Sequence, residues 1–190
     1  MSTIFRPLEM ARSLLSACLA EGDTAVDATA GNGRDTVFLA RLVGASGKVW
    51  AFDIQQQALA NTARMLELEK LSNRVTLVGS GHENLAHYVG DNLGAAMFNL
   101  GYLPGGDHSI ITRPSTTLIA LEIALKNLRP GGMATLIIYS GHTGGKEEED
   151  TLLNYAAYLD QSKFTVLHYR MFNQVNEPPS LLAIEKLATI

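Results

Sequence analysis

Short apolar runs give way again and again to longer helical stretches along this chain, and that order constrains the fold more than any other feature. A strand that is followed by a helix is carried back across the sheet before the next strand pairs. Successive strands then run parallel, and helices cover both faces. Pro7 to Ala20 reads as an amphipathic helix, with Pro7 in its first turn and Gly22 just past its end. "TAVDATAGNGRDT" is a short strand and a glycine-containing turn, and Thr36 to Leu42 continues as helix. "KVWAFDI" is a strand; Gln55 to Lys70 is a helix, with Ala58, Ala63, Leu66 and Leu68 available for packing. "RVTLVGS" is a strand, "HENLAHYV" a short helix, "GAAMFNL" a strand and Ser115 to Leu128 a helix. An Arg-Pro-Gly-Gly turn precedes the strand "GGMATLIIYS", and Glu147 to Leu159 is helical.

The end of the chain departs from this rhythm. "FTVLHYRMF" and "SLLAIEKL" are joined by "NQVNEPP" with no helix between them, so they form an antiparallel hairpin. An α/β fold with a mostly parallel seven-stranded sheet, helices on both faces and such a C-terminal hairpin is the class I methyltransferase (Rossmann-like) plan. The alternation alone also fits a flavodoxin-like or dinucleotide-binding domain. With no internal repeat, low-complexity tract or long linker, residues 1–190 are expected to form one domain. Hydrophobic residues at 46% and charged residues at 18% give a composition that buries a core.

The formal net charge of −4 argues against a broad basic surface, though not against a local basic patch. The lone cysteine, Cys18, has no partner for an internal disulfide and sits in an apolar helical stretch, so a structural thiol is expected. The start "MSTIFRPLEMARS" has no long apolar run, and nothing is long enough to span a bilayer. The expectation is a cytoplasmic protein without membrane attachment or metal.

Parallel strands put their carboxyl ends on one side, where ligands bind in such sheets. In "VDATAGNGRDT", Gly31 and Gly33 let the backbone turn tightly and approach a ligand. A dinucleotide fingerprint needs glycine or alanine where Thr36 stands, and Asp27 at the strand end would repel a diphosphate. A carboxylate there suits the ammonium of a methionine moiety instead. Asp53 ends the second strand and is placed to accept hydrogen bonds from ribose hydroxyls, a role shared by NAD and S-adenosylmethionine. "GSGHENL", after the third strand, is placed to border an adenine; His82 and Glu83 also read as an ordinary helix start.

Asn99 ends the fourth strand, beside the first. "NLGY" has the outline of the Asn-Pro-Pro-Tyr motif of amino-methyltransferases: an amide, two spacers, an aromatic ring. A nitrogen nucleophile needs its lone pair aimed at the methyl group. The Asn99 side-chain oxygen and the Leu100 carbonyl are suited to fix that aim, and Tyr102 to stack on a flat base. His108 and His142 are the nearby candidates for a base, each more simply structural or exposed. Three loops, "GYLPGGDHSIITRP", "SGHTGGKEEED" and "NQVNEPP", should share this face as a substrate wall. Lys146, Arg113 and Arg170 read equally as phosphate contacts or solvated charges. The acidic run Glu147 to Asp150 is most simply a favourable first helical turn.

"DATAGNGRDT", "FNLGYLPGGD", "SGHTGGKEEE" and "NQVNEPPSLLAIEK" together resemble a bacterial family named for rRNA methylation and now associated with the tRNA wobble position. The resemblance runs from Asp27 to Lys186. It implies methyl transfer from S-adenosylmethionine to the aminomethyl nitrogen of 5-aminomethyl-(2-thio)uridine in the tRNA anticodon. The alternatives are methylation of rRNA or of a small amine, and a cofactor-binding domain without catalysis. On this resemblance the cofactor is held by Asp27, Thr29, Gly31, Asn32, Gly33, Asp35, Thr36, Asp53, Ile54, Gln55, Gly81, His82, Asn99 and Leu100. The substrate meets Leu100, Gly101, Tyr102, Leu103, Pro104, His142, Asn173, Asn176 and Pro178, with Asn99 and Tyr102 as catalytic residues. A net charge of −4 leaves tRNA to a local positive rim, and a homodimer is one way to build it.

Overall fold

The elements follow the alternation. They are α1 (Pro7–Cys18), β1 (Thr24–Asp27), α2 (Arg34–Leu42), β2 (Lys48–Phe52), α3 (Gln56–Leu68), β3 (Val75–Val78), β4 (Leu93–Asn99), α4 (Pro114–Asn127), β5 (Leu128–Ile138), α5 (Gly145–Ala157), β6 (Phe164–Tyr169) and β7 (Ser180–Lys186). Short 3-10 turns at Ser72–Arg74 and His82–His87 flank β3. This computed structural model describes residues 3–188; Met1, Ser2, Thr189 and Ile190 of the expected 1–190 domain lie outside the described residues.

The seven strands lie in the order β3-β2-β1-β4-β5-β7-β6. β1 to β5 pair in parallel, and β7 pairs antiparallel with both β5 and β6. This is the expected class I methyltransferase sheet with its terminal hairpin.

β4 shows why both faces are covered. Its side chains alternate, as strand geometry requires. Ala96 and Phe98 pack with α4 and α5 in one layer, and Ala95 and Met97 with α1 and α2 in the other. Phe98 and Met97 are fully buried. The chain order reverses between β1 and β4, so the helices that follow them leave on opposite faces. That opens a crevice at their carboxyl ends.

Three local features differ from the sequence reading. The Arg-Pro-Gly-Gly segment is not a turn before β5 but a bulge within it. Leu93 faces Leu128, the next pairing is Ala95 with Met133, and Gly131 takes φ +73° in between. Arg129 in the bulge reaches Asp23 at 2.7 Å and the Cys18 carbonyl at 2.7 Å, locking the far end of the sheet. α2 begins at Arg34 rather than Thr36. Leu68 is 76% exposed, because the buried face of α3 runs Ala58, Thr62, Leu66 at i, i+4, i+8 and Leu68 falls outside it. Cys18 is half-buried, its thiol 3.6 Å from the Leu15 carbonyl, and burial pushes its pKa up to about 11. Among the described residues no helix is long and apolar enough to cross a membrane.

Candidate active site

A cleft of about 1080 Å³ opens over the carboxyl ends of the parallel strands. Pockets for one small ligand run roughly 300–1,000 Å³, so there is room for a cofactor and a substrate group together. Its walls come from the loops after β1, β2, β3, β4 and β5, with Leu8 and Arg12 of α1 and Glu177 from the loop after β6.

The loop after β1 is built by hydrogen bonds. Asp27 is 1% exposed; its Oδ1 accepts the Thr29 N–H at 3.1 Å and its Oδ2 the Thr36 hydroxyl at 2.6 Å. Burial pushes the Asp27 carboxyl up to about 7, and the nearby Asp35 charge adds to this; the bonds from Thr36 and Thr29 oppose it. Gly33 precedes α2 at φ +82°, and a Cβ there would stand 2.9 Å from Thr62 Cα, so no other residue fits. Thr62 in turn donates to the Gly31 carbonyl at 3.1 Å. Asp27, Gly33 and Thr36 therefore shape the loop from behind and do not line the cleft, which revises the expected contact of Asp27 with an ammonium group.

Thr29, Gly31, Asn32, Asp35, Asp53, Ile54, Gln55, Gly81, His82, Asn99 and Leu100 all line the cleft. Asp53 accepts the Gly31 N–H on Oδ2 and the Gln55 N–H on Oδ1, each at 2.9 Å. A carboxylate has about four acceptor positions, so Asp53 keeps capacity for two hydroxyl groups. Phe52, Ile54 and Leu100 supply apolar wall. His82 is buried, its Nδ1 3.0 Å from the Ala28 carbonyl and its Nε2 without a partner; burial holds its pKa below the usual range. A carbonyl only accepts, so Nδ1 carries the proton and Nε2 is a bare acceptor. The Asp53 acceptors between these apolar walls fit a nucleoside with a ribose diol.

Asn99 is held on both sides. Its backbone N–H donates to the Thr29 hydroxyl at 2.7 Å, and its Nδ2 to Asp35 Oδ2 at 3.3 Å. Asp35 Oδ1 accepts Arg12 Nη2 at 2.6 Å and Nε at 3.2 Å. A carboxylate offers only acceptors, so Asn99 must turn its NH₂ to Asp35. Its Oδ1 is left as an acceptor for the cleft. Arg12, absent from the sequence reading, anchors this relay from 23 residues before Asp35, a separation with no local signal.

The loop after β4 closes on itself. Gly101 and Thr112 bond through Gly101 N–H to the Thr112 hydroxyl, 2.9 Å, and Thr112 N–H to the Gly101 carbonyl, 2.9 Å. The Thr112 hydroxyl donates to Glu148 Oε2 at 2.7 Å, and Thr117 to Oε1 at 2.7 Å. Glu148 does lie in the first turn of α5, as the acidic run suggests, and is there also a buried loop anchor. The spacing of Glu148, Leu152 and Ala156 by four is the signal that places it on the buried face of α5.

Tyr102 rides next to this closure, 41% exposed, with its ring stacked on His108 at 4.0 Å and edge-on to His142 at 5.9 Å. His142 Nδ1 lies 2.9 Å from the Thr143 carbonyl, and its Nε2 is enclosed without a partner. Cβ positions at Gly101 and Gly145 would come 3.3 and 3.1 Å from that nitrogen, so it faces backbone. Leu103, Pro104, Gly101 and His142 line the cleft as expected. Asn173, Asn176 and Pro178 do not; Glu177 among them does, as does Tyr139. Among the described residues no group of three His, Cys, Asp or Glu side chains is arranged to hold a metal.

Fold and cleft together define a class I methyltransferase, a class whose methyl donor is S-adenosylmethionine. Residues 49–185 match the family model described as "Putative rRNA methylase", and the chain belongs to that family. It is 48% identical to a protein of the same description from Clostridium thermocellum, whose crystal structure superposes with a TM-score of 0.96 over 98% of this chain and 100% of that one. It is 45% identical to a methyltransferase from Streptococcus mutans solved in complex with SAH (TM-score 0.90, 97% of this chain, 100% of that one). It is also 37% identical over 180 residues to the chloroplastic tRNA (mnm(5)s(2)U34)-methyltransferase of Arabidopsis thaliana. That match takes in 90% of this chain and 66% of the plant protein's length.

Proposed function

We propose that this chain methylates the exocyclic aminomethyl nitrogen of 5-aminomethyl-(2-thio)uridine at the tRNA wobble position. The observation that carries the reading is the 37% identity to a plant enzyme named for that nucleoside, sustained over 90% of this chain. The free Asn99 acceptor supports it, since an amine is the group such an acceptor aims. S-adenosylmethionine supplies a methyl already activated on a sulfonium, so positioning is the protein's main task.

Asp53 holds the ribose hydroxyls, and Phe52, Ile54 and His82 border the adenine. Asn99 Oδ1 and the Leu100 carbonyl accept the amine's N–H bonds and point its lone pair. Tyr102, braced by His108, stacks on the uracil. The amine reacts only when neutral. His142 is a poor base, because both ring nitrogens face backbone; of the two histidines beside Tyr102, that leaves His108, which is exposed and stacked on the ring.

The test offers tRNA and ribosomal RNA, both from cells lacking this protein, to the purified enzyme with labelled S-adenosylmethionine. Nucleosides are then resolved by mass. Conversion of 5-aminomethyluridine species to the methylaminomethyl form in tRNA is the expected result. Label confined to ribosomal RNA, or no transfer to RNA with cofactor bound, overturns it.

A further inference from the structure

Two arginines at the cleft have no partner. Arg34 and Arg113 both line it and are exposed, and neither guanidinium makes a hydrogen bond or ion pair to the described residues. Arg12 is engaged by Asp35, Arg41 by Glu69 and Arg129 by Asp23; Arg64 and Arg170 are unpaired among the described residues as well but do not line the cleft. Arg34 opens α2, in the layer with α1; Arg113 immediately precedes α4, in the opposite layer. The two guanidinium groups therefore reach the cleft from opposite faces of the sheet. Arg34 also lines an adjoining cavity of about 310 Å³, where the other two arginines, Arg12 and Arg41, are already paired with Asp35 and Glu69.

The positive charge is local to these two forks and not a property of the whole cleft: Asp35 is paired with Arg12, while Asp53, Glu83 and Glu177 also line it. Tyr102 also lines the cleft, its ring presented on His108. A stacking ring flanked by two planar cationic forks matches one nucleotide of a strand: the base on the ring, a phosphodiester on each side.

We propose that Arg34 and Arg113 form a two-sided phosphate clamp on single-stranded RNA, gripping the backbone on either side of the nucleotide whose base lies at Tyr102. The clamp rests on the RNA reading above. It puts positive charge where a polyanion needs it within one protomer, although the chain's net charge is −4. The competing anion is the carboxylate of the cofactor's methionine moiety, which has the same appetite for a guanidinium.

The experiment compares the wild type with R34Q, R113Q and the double variant. Each is titrated with tRNA from cells lacking the modification over a range of salt, and separately with S-adenosylmethionine. Each phosphate contact on a single strand contributes about 0.7 to the slope of log affinity against log salt, so the double variant should be shallower by about 1.4. Between roughly 50 and 200 mM salt, the wild type should then lose about sevenfold more affinity than the double variant. Cofactor affinity should stay at the wild-type value. A double variant with the wild-type slope, while the wild type itself is salt-steep, overturns the clamp and leaves the RNA reading standing. Lost cofactor affinity also overturns it and reassigns the arginines to the methionine carboxylate. A wild type with no affinity for tRNA at low salt removes the RNA reading, and the clamp with it.

Discussion

Asp35→Asn should change the reaction by turning over a different residue. In the native site Asp35 is 7% exposed, and its two oxygens are divided between Arg12 and the Asn99 NH₂. The new amide keeps an oxygen for Arg12 but turns an NH₂ toward Asn99. Two facing NH₂ groups cannot bond, so Asn99 flips and offers its Oδ1 to the substituted residue. The cleft then sees a donor where the substrate amine needs an acceptor. The nitrogen gains positive charge as its new bond forms, and a hydrogen bond to a charged group is worth about 1.5–3 kcal/mol. That corresponds to a roughly 10–150-fold loss of turnover. The assay is initial rate at saturating cofactor and tRNA for D35N, N99A and the pair. Because D35N acts through Asn99, it should add almost nothing in the N99A background. Additive losses, or wild-type turnover in a folded D35N, would refute the relay.

Asn99→Ala should leave cofactor affinity nearly intact while depressing turnover; calorimetric titration beside steady-state rates checks it, and a large loss of cofactor binding would undo the role. Glu148→Ala strips the acceptor from the buried Thr117 hydroxyl and the half-buried Thr112 hydroxyl and frees the Tyr102 loop, at about 3 kcal/mol. Thermal melts should then fall by about 6–12 °C, since 1 kcal/mol shifts a chain of this size by about 2–4 °C. For Asp27, a carboxyl titrating at about 7 in the folded state and near 3.8 unfolded binds its proton more tightly when folded. Its contribution to stability is full below the unfolded value and is lost as pH rises to about 7, some 4 kcal/mol in all. In urea unfolding, wild type should match Asp27→Asn near pH 4 and fall below it by that amount as pH rises to about 7; a pH-independent difference would mean Asp27 is ionised throughout.

The sheet was legible because its cause is local. A strand-helix rhythm leaves parallel pairing as the way to connect, and the missing helix before "SLLAIEKL" marks the antiparallel end. Strand ends were legible for the same reason, so Asp53, Asn99 and the Gly31–Gly33 turn fell at one crevice. Sequence does not show where each polar group is spent. Asp27 reads as a ligand contact, whereas the fold buries it against Thr29 and Thr36, close in the chain but brought round it only by the loop's turn. Glu148 reads as one of four acids opening a helix, and its part as a loop anchor emerges only when Thr112 and Thr117 arrive from elsewhere in the chain.

Pattern and composition by themselves determined the fold class, the face that carries the site and the amide that ends β4, because periodicity and connection rules act along the chain. Tertiary structure decided which polar groups are free to act. Arg12 and Asp35 orient Asn99, Glu148 pins the loop that carries Tyr102, and Arg34 and Arg113 are left uncommitted. Each of those outcomes depends on pairings between elements far apart in sequence, and hydrogen-bond capacity is shared out only when the fold has brought donors and acceptors within reach.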